Sequence, residues 1–170
     1  MPITRNIPER GGETLDELYI NPFVVGTKHV FKTMLGIDIS ADAAFSRGDR
    51  KTTADITGIM GFTGDRRGTM SFSMSLSGAL LIYTRLMCET FDLMSPEIMD
   101  AVGELTNIIS GQARKELEKE RLHLIAHVPM VFVGKNVEIN FIAKGTLTTI
   151  PFWLTLDGKT EQMTLDYIFE

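Results

Sequence analysis

Residues 95–118 read Ser-Pro-Glu-Ile-Met-Asp-Ala-Val-Gly-Glu-Leu-Thr-Asn-Ile-Ile-Ser-Gly-Gln-Ala-Arg-Lys-Glu-Leu-Glu. This spacing predicts one long helix with two unlike faces. Ser95 is a good N-cap, and Pro96 suits the first helical position, where its missing N–H costs nothing. Glu97 and Asp100 lie near the N-terminus, where the helix dipole favours negative charge. At about 100° per residue, Ile98, Val102, Leu105 and Ile109 form one stripe, flanked by Ala101, Ile108 and Gln112. Asp100, Glu104, Asn107, Gly111, Arg114 and Glu118 fall on the opposite face. An ordinary solvated face would explain such a set. Asn107 and Gly111 argue for more, because Asn is a poor helix-interior residue and Gly costs about 1 kcal/mol relative to Ala. A partner approaching closely on that side would account for both.

Outward from this helix, the chain alternates between helical and strand patterns. Asn21-Pro22 reads as a helix start, with Leu15 to Tyr19 as either a first helical turn or a lead-in. Phe23, Val24, Thr27, Val30, Phe31, Met34 and Leu35 recur at three and four, up to a stop at Gly36. Ile37 to Phe45 alternates weakly, and Arg47 to Lys51 is a polar turn. Ala54, Ile56, Gly58, Met60 and Phe62 form one alternating set, and Met70, Phe72, Met74 and Leu76 another. The glycine-containing segment between them makes a hairpin. Ser77 is expected to cap a second apolar helix through Cys88. Beyond the long helix, Pro129 precedes Met130 to Val133, and Val137 to Ile142 alternates. Leu147 to Leu156, Asp157-Gly158-Lys159 and Met163 to Phe169 read as a closing hairpin. Pro151 marks an edge or a bulge. A bare edge carrying Phe152 and Trp153 would invite aggregation unless another subunit covered it.

The order is helix, strands, two helices, strands. It predicts an α+β fold, an antiparallel sheet with long helices packed on it, in two loosely repeated halves. Residues 1–17 are expected to be a flexible tail and residues 18–170 a single domain. The chain has 170 residues and is 44% apolar, enough for one real core. Its net charge of −5 argues against sequence-independent nucleic-acid binding. The single cysteine, Cys88, allows no internal disulfide, and no apolar run approaches the ~18–20 residues of a membrane span. A cytoplasmic protein is expected.

Few residues offer chemistry. His29, His123 and His127 have no partners at ligand spacing, and no nucleophile elbow or Cys-His pairing is present. The glycines of residues 63–68 lack the Lys-Ser/Thr of a phosphate loop. Glu104 and Asn107 remain. Ten Met and ten Phe would suit a small-molecule pocket, but core packing explains them more simply.

Asp100-Ala-Val-Gly-Glu104-Leu-Thr-Asn107, then Gly111 and a downstream Pro129, resembles the signature of the CheC/CheX/FliY phosphatases of bacterial chemotaxis. Ile20-Asn21-Pro22-Phe23 and Val30-Phe31-Lys32-Thr33-Met34-Leu35-Gly36 are similar to the start of CheX. Glu-x-x-Asn alone is a common pattern; with these flanks it is specific. The likeness runs from about residue 18 to the end, and the N-terminal tail is longer than the family core.

The resemblance implies removal of the phosphoryl group from the aspartate of a phosphorylated CheY-type response regulator. It implies one site per chain, since the first helix lacks a second Glu-x-x-Asn. It implies a homodimer formed through sheet edges. It assigns Asn107 to positioning the attacking water and Glu104 to pairing with a cation of the regulator, such as its conserved Lys. Asp100 either contacts the same partner or simply favours the helix N-terminus, and Gly111 permits close approach. Mg²⁺ is expected in the partner regulator, with no cofactor held by this chain. The rival reading is a non-catalytic dimeric adaptor that docks on a regulator or a flagellar switch component.

Overall fold

Met70, Phe72 and Met74 alternate with Thr69, Ser71 and Ser73, and this alternation builds the middle of an antiparallel sheet. The structure, a computed structural model, describes residues 15–92 and 95–170. In chain order these form helix α1 (Leu15–Leu35), short strands β1 (Ser40–Ala41) and β2 (Phe45–Arg47), and the hairpin β3 (Ile56–Gly64) and β4 (Gly68–Met74). Helices α2 (Leu76–Met87) and α3 (Pro96–Lys119) follow. Short strands β5 (Leu124–Ala126) and β6 (Met130–Val133) lead to the hairpin β7 (Leu147–Leu156) and β8 (Lys159–Phe169). The sheet runs β1-β7-β8-β4-β3-β5, with β2 also on β7 and β6 also on β3.

The two expected halves are visible in this pairing. Each has a long helix, two short strands and a hairpin. The hairpins meet at β4 and β8, where Met70 opposes Tyr167, Phe72 opposes Leu165 and Met74 opposes Met163. The short strands are exchanged: β1 and β2 pair with β7, while β5 and β6 pair with β3. All six ladder residues named are buried and join the helices in one core. The other sheet face is mostly polar yet also buried at its centre, with a small apolar cluster of Ala143, Leu147 and Ile168 beside it. There the Thr57 and Ser73 hydroxyls bond at 2.8 Å, and Asp166 accepts from Thr149 and from Arg47 at 3.0 Å. Burial pushes the Asp166 carboxyl above its ordinary range, opposed by Thr149 and Arg47.

Two helix starts differ from the sequence reading. Helix α1 begins at Leu15, inside the segment expected to be tail, and carries Pro22 in its interior; residues 1–14 lie outside the described residues. An interior Pro removes one helix bond and costs about 3 kcal/mol. Aromatic burial on both sides offsets it. Tyr19 stacks on Phe169 with centroids 4.2 Å apart, and Phe23 on Tyr167 at 5.1 Å. Helix α2 is capped by Ser75 rather than Ser77: the Ser75 Oγ accepts from the Gly78 N–H at 2.9 Å. The Asp55 carboxylate accepts from the Leu76 N–H at 3.0 Å and sits 3.1 Å from the Lys135 ammonium. That backbone bond, helped by Lys135, holds the Asp55 carboxyl below its ordinary range.

The expected bare edge is absent. Ser40 and Ala41 pair with Trp153 and Phe152, Phe152 is buried, and the Trp153 indole donates to Asp42 at 2.7 Å. Residues of the same chain cover the segment, so it calls for no second subunit. Pro151 lies at a bulge: from Ala41↔Phe152 to Phe45↔Thr149, four residues on one side match three on the other. Val137 to Ile142 forms no named strand and contributes one bridge, Lys51 to Glu138. Strands β5 and β6 already occupy the free side of β3, so the run has no ladder to join.

Helix α3 is fixed by two close contacts. At Gly26 of α1, an added Cβ would lie 2.9 Å from the Ala113 backbone nitrogen; at Gly58 of β3, it would lie 2.1 Å from the Thr106 Oγ1. Gly26→Ala should therefore destabilise the fold by about 1–2 kcal/mol in urea unfolding, despite the ~1 kcal/mol that Ala gains in helix propensity, because overpacking against backbone costs about 1–3 kcal/mol. Asp55→Ala should cost about 1 kcal/mol at neutral pH, as loss of a helix cap does. The Asp55 pKa is depressed in the folded state, so its contribution is present above the ordinary carboxylate pKa and is lost as pH falls through the folded value. Unfolding curves of wild type and variant should converge in acid.

Candidate functional site

The apolar stripe of α3 does what its spacing predicts. Ile98, Val102, Leu105 and Ile109 are buried, and Ala113 and Leu117 continue the stripe. Each large side chain contributes about 1.5–3 kcal/mol by leaving water. A second buried stripe, Gly103, Thr106 and Ser110, lies beside it and rests on the sheet. Val131 of β6 approaches Gly103, with its Cγ2 3.2 Å from where a Cβ would stand. The hydroxyls on this stripe are satisfied within the helix: Thr106 donates to the Val102 carbonyl at 2.7 Å, and Ser110 to the Asn107 carbonyl at 2.9 Å. The sequence reading missed this stripe, although Gly58 alternating with apolar neighbours in β3 was its one visible signal.

With two sides buried, one sector of α3 faces solvent. Asp100, Glu104 and Asn107 are exposed, and Gly111 is half-buried. At about 100° per residue, these four positions fall within about 60° of one another. Glu104 and Asn107 are three residues apart, hence roughly 4.5 Å along the axis and neighbours on the surface. Among the described residues, the side chains of Asp100, Glu104 and Asn107 have no hydrogen-bond or ion-pair partner. The far end of the same face is different. The Arg114 guanidinium turns back to the Leu124 carbonyl at 3.4 Å, and Glu118 lies 3.6 Å from the His123 ring.

Ser95 occupies the N-cap position with extended backbone, but its hydroxyl makes no capping bond. Pro96 is at the start as expected, and Glu97 is in the first turn. His127 bonds the Thr63 hydroxyl at 3.2 Å, and His29 is exposed on α1. Among the described residues no group of three or more His, Cys, Asp or Glu is placed to hold a metal ion, and no helix is long and apolar enough to cross a membrane. Cys88, which its apolar helical context would place in the core, is instead exposed at the end of α2, where it adopts a left-handed backbone (φ 56°) as the C-cap.

The arrangement presents one carboxylate-and-carboxamide pair on a rigid, well-anchored rod. A carboxamide donates and accepts hydrogen bonds without carrying charge, and a free carboxylate seeks a cation. Gly111 has no internal reason to be glycine: an added Cβ would meet only the Arg114 guanidinium, at 4.0 Å. Gly111→Ala should therefore stabilise the fold by about 0.5–1 kcal/mol in urea unfolding. A loss of stability would mean that the glycine serves the fold rather than the exposed face.

Comparison with known proteins places the fold in a family. Residues 56–153 match the family model for the chemotaxis phosphatase CheX, a span from β3 into β7 that includes all of α3. The CheY-P phosphatase CheX of Thermotoga maritima is 21% identical over 126 residues, covering 74% of this chain and 81% of that protein. The crystal structure of CheX from Vibrio vulnificus superposes with a TM-score of 0.79 at 26% identity, covering 89% of this chain and 99% of that one. A CheX–CheY–BeF3–Mg²⁺ complex from Borrelia burgdorferi shares the fold, with a TM-score of 0.72 at 22% identity, covering 89% of this chain and 97% of that one.

Proposed function

Because the chain belongs to the CheX family of chemotaxis phosphatases, we propose that it hydrolyses the aspartyl phosphate of a CheY-type response regulator by inserting the exposed face of α3 at the phosphoryl group. One observation carries the reading. Among the described residues, Glu104 and Asn107 have no side-chain partner, and they are exposed on the solvent-facing sector of a helix held on its other sides. The Thermotoga maritima relative, named for activity on CheY-P, and the Borrelia burgdorferi neighbour, solved with CheY, support the choice of substrate.

The chemistry asks little of this chain. An acyl phosphate is already activated, and the regulator's own Mg²⁺ would neutralise the transferring group. Water attacks phosphorus, the P–O bond to the aspartate breaks, and the carboxylate and inorganic phosphate leave. What accelerates this is holding the water in line. Asn107 suits that task because its carboxamide can accept from the water while carrying no charge that the phosphoryl oxygens would repel. Glu104 pairs with a Lys of the regulator's site and fixes the docking angle. Asp100, one turn earlier on the same sector, adds to the attraction. No acid or base is required of this chain.

The decay of a phosphorylated CheY-type regulator, followed with and without the chain, tests the reading. Wild type should accelerate decay. Asn107→Ala should lower kcat by about 10²-fold or more, the cost of losing positioning, with KM nearly unchanged. Glu104→Ala should raise KM and lower kcat together. Full activity in Asn107→Ala would exclude water positioning by this residue. Tight binding of the phosphorylated regulator with no faster decay would instead favour an adaptor.

A further inference from the structure

Helices α2 and α3 leave between them an apolar cavity of about 330 Å³ that opens beside Glu104. Its floor includes Met74 of β4, Ile82 of α2 and Leu105 of α3, all buried. Met34, near the end of α1, and Met87, the last residue of α2, stand at the mouth, 37% and 52% exposed. The volume is about twice the ~150 Å³ cavity that accommodates benzene, so one Phe, Leu or Met side chain fits. Methionine walls can adapt to its shape. On the α3 side, the rim is formed by Glu97, Asp100 and Glu104. All three are exposed, and among the described residues none has a side-chain partner.

We infer that this cavity is an anchor pocket for the response regulator, taking one apolar side chain that a Lys or Arg flanks on the regulator's surface. The inference rests on the phosphatase reading above. Charge selects the occupant. Three unpaired carboxylates on one rim attract a cationic surface and reject an acidic one. A second copy of this chain, with net charge −5, is a poor match, and an uncharged apolar molecule would leave the carboxylates unanswered. Position gives the pocket its use. Glu104 and Leu105 line it, and Asn107 follows within one helical turn. A side chain seated here would fix the regulator in two places, at the pocket and at its phosphoryl group. Binding energy gained away from the reacting atoms is then available to orient them.

The test uses the full chain and a phosphorylated CheY-type regulator, with kcat and KM measured across a salt series. Binding to the beryllofluoride-activated regulator is measured alongside. Met87→Glu, at an exposed position the fold tolerates, should raise KM and the activated-regulator Kd about tenfold or more, with a smaller effect on kcat. Met87→Leu should restore both. Glu97→Lys should raise KM and flatten its dependence on salt. Circular dichroism should show all three variants folded. If wild type accelerates decay and Met87→Glu leaves KM unchanged, the pocket is not an anchor, whatever the fate of the phosphatase reading. If wild type binds the activated regulator without accelerating decay, the phosphatase reading fails, and a tenfold loss of binding in Met87→Glu still supports the anchor. A chain that does not bind the regulator, or a Met87→Glu variant altered only in self-association, overturns the inference.

Discussion

The structure depends on how closely α3 can approach its neighbours. At Gly26 a helix backbone, and at Gly58 a strand backbone, come too near α3 to leave room for a Cβ. These contacts hold the helix from two directions, while the stripe from Ile98 to Leu117 adds the larger apolar gain. A helix gripped in this way cannot roll, so its remaining sector points in one fixed direction. Asp100, Glu104 and Asn107 are presented there without, among the described residues, any side-chain bond of their own. Rigid placement of groups that have no internal partner is what positioning catalysis needs.

The doubled architecture makes this arrangement asymmetric in packing. Both halves contribute a long helix to one layer, and the two cross at Gly26 and Ala113. In α1 the aromatic residues Tyr19 and Phe23 are drawn into the core on either side of Pro22. That helix therefore gives its first half to packing. In α3 the corresponding work is divided between an apolar stripe and a stripe of Gly103, Thr106 and Ser110, which frees the third side. Helix α2 has no counterpart in the second half. It creates the methionine-lined cavity against α3, beside the carboxylates.

Much of this was legible in the residues, and the exceptions have physical reasons. The apolar stripe and the exposed face of α3 followed from helical period, whereas the buried stripe of Gly103, Thr106 and Ser110 did not, because small and hydroxyl residues carry no apolar signal. The hairpins followed from alternation between Gly58 and Met74 and between Leu147 and Phe169. The start of α1 did not, since Asn21-Pro22 imitates a helix start and only the distant Phe169 and Tyr167 explain why the helix begins earlier. Ser75 and Ser77 are equally good caps on paper; Asp55, twenty residues upstream, decides between them by holding the Leu76 N–H. Likewise, nothing local shows that β1 and β2 cover Phe152 and Trp153, or that Met34, Ile82 and Leu105 share one cavity. Glu104 and Asn107 stood out as a polar pair on a strongly formed helix, and only the likeness to the CheC/CheX/FliY signature gave that pair a proposed role.

The central claim is that the exposed sector of α3 enters the regulator's phosphorylation site. It is tested most directly by a crystal structure of the full chain bound to a beryllofluoride-activated CheY-type regulator. Insertion predicts the Asn107 carboxamide within about 3 Å of a water that lies in line with the aspartate–beryllium bond, and the Glu104 carboxylate paired with a regulator Lys. A complex in which Asn107 and Glu104 remain in solvent, with the regulator seated on another face, would contradict it.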